Sequence, residues 1–475
     1  MFKSAASLIE ACLVTEVREY GEIVTAIRLE YDEEVCCRSL TNYICHAQSD
    51  YHHRPNEDTI YDCTYHIESS VFYIDAVYCN NSAKKDEAAY YGRYVFLNLE
   101  VTNPDPLKYE DYVTFYHVPN CSDPRGGIFP QRPKLRPIRV FQLKSIETRS
   151  GNEIASGSIE AYREIRLIID DFKTFTIGKR GEGHWIDCNL FIPKGYEEKR
   201  DDLENLPLLL FYPSGQARFE DYSGNHIGAL VNNRYCTVWA GEENQKEHPS
   251  FVMTLGGDYP YMDWGDQPDY AHSWVQQYYV EGIRAVCQRY NVDTGRIYGC
   301  SSGGGGGALW QTAAANPGLF AAQIIAANDF YSPGGLRDEE RGHKLMIEIL
   351  SQKMNSWWVC EEQDSTGRYA LSDTDERLRG DFLRYQAQIA RKAGFEIDIT
   401  DETQMWNGNL RGRRAQQQVQ EQIARNPNAH CRISFLIPGT VHTDKHFGGR
   451  YFYENKALRD WMYTNRLAEK DQLFR

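Results

Sequence analysis

The spacing of apolar residues changes along the chain. Up to about residue 145 they alternate with polar ones. TAIRLEY (25–31), VFYIDAVYC (71–79) and RYVFLNLEV (93–101) are short and rich in β-branched and aromatic types. That pattern predicts half-buried strands. Turn-forming stretches, NPDP (103–106) and DPRGG (123–127), lie between or beyond them. Short strands separated by loops predict an all-β sandwich over residues 1–145. Residues 146–180 read as linker and connecting strands, with a Gly/Ser-rich piece at 150–157.

From about residue 181 the pattern is different. WIDCNLFIP (185–193), LPLLLFYPSG (206–215) and FVMTL (251–255) are nearly continuous apolar runs, as expected of strands buried on both faces. A helix follows over 273–290, where Ile283, Val286, Cys287 and Tyr290 share one face. Then come a strand at 295–299, a glycine-rich turn, a helix at 308–317, and strands at 321–327 and 356–364. A helix over 373–393, a strand at 431–439 and a helix at 455–463 complete the series. Strands alternating with helices predict an α/β domain over 181–475, its parallel-rich sheet covered by helices.

Composition narrows the function. There are 52 Lys+Arg against 67 Asp+Glu, a net charge of −15. Nucleic-acid binding needs a basic face, so it is not expected. No run of about 18 apolar residues predicts a membrane span. The opening MFKSAASLIEACLVTEV is a poor secretory signal because Glu10 breaks its apolar patch. Compartment stays open between cytoplasm and export, and homo-oligomerisation is neither indicated nor excluded. The 13 cysteines are scattered without CxxC or zinc-type spacing, which favours free thiols. His52, His53 and His66 are not at metal-ligand spacing. No metal and no cofactor are expected.

The chemistry concentrates in GRIYGCSSGGGGG (295–307), a strand running into glycines and then a helix. Gly299-Cys300-Ser301-Ser302-Gly303 fits G-x-S-x-G. In that turn one serine is lifted above the sheet, small residues flank it, and the helix N-terminus faces an oxyanion. A serine nucleophile needs an acid and a base, here in the order Ser, Asp/Glu, His. Asp364 ends the strand at 356–364, at the edge where sites form in open α/β sheets. Glu361 and Glu362 compete with it from inside the strand. His442 follows the last strand directly and is the favoured base; His446 is the alternative. The oxyanion donors would come from Ser302 or Gly304 and from Gly215 or Gln216. Tyr261, Trp264, Trp406 and Arg411 are candidate pocket residues. Residues 404–426 are Arg/Gln-rich and read as a solvated helix, or as a cap beside the site.

Several segments carry a family resemblance: Asp293, RIY (296–298), Trp310, NPGLFAA (316–322), EEQDSTG (361–367) and PGTVH (438–442). Residues from about 180 resemble α/β-hydrolase esterases related to polyhydroxybutyrate depolymerases, feruloyl esterases and predicted peptidases. TEVREYGEIVTAIRLEYDEEV (15–35) resembles the immunoglobulin-like domain that precedes some of these esterases. The resemblance implies a serine esterase acting on a small or oligomeric ester through a Ser301–Asp364–His442 triad, or a peptidase of the same fold. Two departures stand out. Pro213-Ser214-Gly215 replaces the relatives' His-Gly. In those relatives the nucleophile lies five residues after the Tyr of RIY and fourteen before the next helix's Pro. Counted from Tyr298 and from Pro317, both land on Gly303. The nucleophile is therefore Ser301, or Ser302, or has been replaced by glycine at 303, which would leave an inactive ligand-binding homologue.

Overall fold

The computed structural model describes residues 7–18, 21–40, 63–69, 71–85, 88–101, 113–117, 128–133, 136–179, 184–212, 227–231, 234–257, 274–328, 339–364, 378–441, 445–469 and 472–474. The chain divides into two compact units, Met1–Phe115 with Pro130–Asp170, and Tyr116–Phe129 with Asp171–Arg475.

The first unit is a β-sandwich. Its larger sheet has the order Arg163–Arg166, Leu8–Arg18, Gly21–Cys36, Tyr91–Val101, Phe72–Asn80. A three-stranded sheet has the order Gly157–Ala161, Ile138–Gln142, Tyr65–Glu68. Leu13, Ile27 and Leu97 of the first sheet share one buried cluster with Ile67, Ile138 and Val140 of the second. Burying these faces together is the main favourable term. The phenol of Tyr31 lies 2.8 Å from that of Tyr65 and donates to Gln142 Oε1 at 3.0 Å, so the buried polar groups between the sheets satisfy one another. The opening stretch, expected only to be a poor leader, is an interior strand of the larger sheet, Leu8–Arg18. Residues 146–170, expected to connect, also contribute strands to this unit.

The second unit is built on a nine-stranded sheet: β1 (Phe172–Gly178), β2 (Trp185–Phe191), β3 (Leu206–Tyr212), β4 (Phe251–Gly257), β5 (Val292–Ser302), β6 (Ala322–Ala326), β7 (Asn355–Glu361), β8 (Ile397–Ile399) and β9 (Cys431–Leu436). The spatial order is β1-β2-β4-β3-β5-β6-β7-β9-β8. β1, β2 and β4 pair antiparallel; every pairing from β4 through β3 to β8 is parallel. All seven residues of β3 are buried, as a strand covered on both faces requires.

Helices α1 (Trp274–Arg289), α2 (Gly305–Ala315), α3 (Glu339–Ser351) and α4 (Arg379–Lys392) supply Ile283, Trp310, Met346 and Leu383 to one core cluster with the sheet. Trp310 meets Trp358 of β7 edge-on within it. The opposite face is aromatic. Tyr453 packs against Phe211 and Trp239, and Trp461 against Trp357. Helices α5 (Gly412–Arg425) and α6 (Lys456–Tyr463) complete the unit, with shorter helices at Arg234–Ala240 and Gly449–Tyr453. Among the described residues no helix is long and apolar enough to cross a membrane.

Candidate active site

The site forms at the carboxyl edge of the sheet, where β5 passes into α2. The expected strand 295–299 is longer at both ends. Its ladder with β6 continues through Ser302 opposite Ala326, and with β3 through Ser301 opposite Tyr212. The next amide, Gly303 N–H, donates to Ala326 O at 2.9 Å. Gly303 has φ +51°, and the first residue of α2 is Gly305. Residue 303 is thus the tip of the strand-to-helix turn. A left-handed backbone there is the conformation glycine adopts without steric penalty. Asn328 Nδ2 and the Gly306 amide both donate to Gly303 O, at 2.6 and 2.9 Å, and fix the turn from below.

Ser301, expected as the nucleophile, lies short of this turn. Ser301 is inside the strand body, fully buried, and its Oγ has no hydrogen-bond partner. Its backbone is held by Tyr453, whose phenol accepts the Ser301 amide at 3.1 Å and lies 2.5 Å from Ser301 O. Ser302, the last strand residue, is also buried. Ser301 and Gly305 stand two residues before and two after Gly303. These are the small flanks that a sharp elbow requires. The mismatch arises because the strand extends beyond Gly299, carrying the elbow tip two residues past Ser301. Gly304, offered as an oxyanion donor, precedes the first turn of α2, where helix N–H groups lack intrahelical partners. Gly215 and Gln216 lie outside the described residues.

Asp364 sits three residues beyond the end of β7 and is fully buried. Its Oδ2 lies 3.0 Å from His446 Nδ1 and accepts Arg379 Nε at 2.7 Å. His446 is carried by a tight turn, Lys445–Gly448, that precedes the Gly449–Tyr453 helix. With Nδ1 donating to the carboxylate, Nε2 is the basic nitrogen. His446, named as the alternative base, thus reaches Asp364; His442 lies outside the described residues. Sequence position favoured His442 because it follows β9 directly. Just after β9, Ile437 N–H donates to Trp406 O and Thr440 N–H to Ile437 O.

Arg379 was not anticipated. A signal existed: it is a cation in the first turn of α4, where the helix dipole favours anions. A cation there calls for a carboxylate partner. Glu361, the competing acid, is buried at the end of β7, and burial raises its carboxyl to about 7. Lys445 opposes that rise. Glu361 Oε2 accepts Gln363 N–H at 2.8 Å while Oε1 is unpartnered. Glu362 is spent on Arg384 at 2.7 Å.

Trp406 and Arg411 line a cavity of about 240 Å³ with Leu436, Arg450 and Tyr451. Gly303, Asp364 and His446 are not among its walls. Trp406 is mostly core, packed on Trp357 and Phe452. The segment expected to be a solvated helix or a cap forms α5, with only Val419 and Gln422 buried. Tyr261 and Trp264 lie outside the described residues. Glu247, His248 and Asp460 come close enough to hold a cation. The Lys456 ammonium already fills that role, 2.5 Å from Glu247 and 2.8 Å from Asp460.

Residues 10–155 match the family described as esterase Ig-like N-terminal domain. No curated protein matches the chain. Among solved structures, a thermostable esterase aligns over 96% of this chain and 100% of its own, at 21% identity and a TM-score of 0.65. An S-formylglutathione hydrolase from Staphylococcus aureus aligns over 46% of this chain and 86% of its own, at 15% identity and a TM-score of 0.31. An acylaminoacyl peptidase from Pyrococcus horikoshii aligns over 69% and 50%, at 11% identity and a TM-score of 0.33. The chain thus carries a region that matches an esterase Ig-like N-terminal domain, followed by a unit with the α/β-hydrolase fold.

Proposed function

We propose that the second unit carries an ester-binding site of serine-hydrolase type whose acid and base are Asp364 and His446 and whose nucleophile position is residue 303, here glycine. The observation that carries this reading is the left-handed φ of +51° at Gly303, between the last residue of β5 and the first turn of α2. In a serine hydrolase the residue at that tip attacks the ester carbonyl. The base takes its proton and passes it to the leaving alcohol, and the acid holds the imidazole and stabilises its charged form. Glycine has no atom that can make the acyl bond. The chain as it stands binds an ester and polarises its carbonyl but forms no acyl-enzyme.

Removing the nucleophile from a serine hydrolase lowers kcat on the order of 10⁶-fold. Putting one in at 303 is the corresponding gain. The natural chain should hydrolyse p-nitrophenyl acetate no faster than its His446→Ala variant. Gly303→Ser should raise turnover by at least about 100-fold, a small part of that span, and adding His446→Ala or Asp364→Asn should abolish the gain. The added side chain must adopt a left-handed backbone, so the variant should be less stable by about 1–2 kcal/mol. Turnover by the natural chain that disappears in Ser301→Ala would return the assignment to Ser301.

A further inference from the structure

We infer that Arg379 is the positioning residue of the Asp364–His446 pair, holding the carboxylate in the one orientation that presents Oδ2 to the imidazole. The inference rests on the reading above, in which these two residues are the acid and base. Asp364 follows β7 in a short turn, and four contacts bind that turn to the start of α4. Arg379 grips residue 364 twice: its amide donates to Asp364 O at 2.9 Å, and its Nε donates to Asp364 Oδ2 at 2.7 Å. Gly380 N–H donates to Glu362 O at 3.2 Å. Arg384 pairs with Glu362 at 2.7 Å. A Cβ at position 380 would stand 2.7 Å from Glu362 O, so glycine is what lets the helix start come this close.

The charge argument points the same way. Asp364 and Arg379 are both buried, the first completely. A buried carboxylate stays ionised only with a charged or hydrogen-bonding partner, and an arginine brings a lasting charge. The guanidinium supplies it, at the same oxygen the imidazole uses. A planar guanidinium with fixed donor directions also sets the carboxylate's orientation, which a flexible ammonium does less strictly.

The test reads the imidazole directly and does not depend on ester turnover. In the natural chain, the Nδ1 proton of His446 should give a low-field NMR resonance protected from exchange, assigned by its disappearance in His446→Gln. In Arg379→Met that resonance should be lost, with far-UV circular dichroism unchanged. In Arg379→Lys, which keeps the charge but holds the carboxylate less strictly, it should remain but exchange faster with water. A resonance unmoved in folded Arg379→Met would overturn the proposal and leave Arg379 a merely structural residue. If the Met variant does not fold, Arg379→Gln is read in the same way, and retention of the resonance there overturns the proposal equally. Failure of Gly303→Ser to hydrolyse esters would count against the nucleophile assignment and leave this result standing.

Discussion

Glu361 is buried with one carboxylate oxygen unpartnered, and burial raises its carboxyl to about 7. A carboxyl raised in this way costs the folded state nothing at pH values below its unfolded value, where both states are protonated. The cost grows as pH rises toward the folded value and is complete above it. Glu361→Gln should therefore match the natural chain in urea unfolding at pH 4. It should exceed it by roughly 2 kcal/mol at pH 8, with allowance for screening through Lys445. An equal gain at both pH values would mean that packing, not charge, sets the difference. The residue scale is also where sequence reading was weakest. Asp364 was singled out from its place at a strand end, and the structure sets it 3.0 Å from His446. The tip of the strand-to-helix turn was left open among 301, 302 and 303, because G-x-S-x-G fits Gly299–Gly303 as a pattern while the β6 ladder carries the strand on to Ser302. Counting from Tyr298 and from Pro317 reached Gly303, the residue with the left-handed backbone, since the end of β5 and α2 keep a regular spacing.

At the scale of elements, the polyglycine run has two uses that one residue type satisfies. Gly303 needs a left-handed backbone, and Gly306 needs the absence of a side chain. A Cβ at 306 would lie 2.6 Å from Asn328 Nδ2 and 2.8 Å from Asn328 Cβ. Asn328 is the residue that donates to Gly303 O. Alanine is the better helix former by about 1 kcal/mol. Overpacking against a buried side chain costs about 1–3 kcal/mol, so crowding should win. Gly306→Ala should lower the thermal midpoint, and a raised midpoint would show that Asn328 yields without loss.

Most elements of the second unit were legible because their apolar runs are long and fully buried, as in β3, β6 and β7. Short β8 and the helix over Glu339–Ser351 were missed. The first has only three residues, and the second presents only a short apolar face, Leu345, Met346, Ile349 and Leu350. The opening strand, Leu8–Arg18, was missed because its consecutive buried residues, Ala11 to Thr15, do not alternate. It is an interior strand, covered on both faces.

For the whole molecule, the change from alternating to continuous apolar runs near residue 180 marked two architectures. The described chain has both, and the division between its units falls between Asp170 and Asp171 in the sequence. Eleven cysteines are described, nine of them buried. Burial pushes the thiols of Cys188, Cys300 and Cys360 upward, so they behave as small core residues and not as nucleophiles. With cysteine chemistry set aside, the central claim concerns one missing oxygen at residue 303. Intact-mass analysis after treatment with a fluorophosphonate tests it most directly. The natural chain should remain unmodified, and Gly303→Ser should gain a single adduct that maps to residue 303. An adduct on Ser301 or Ser302 of the natural chain would contradict the claim.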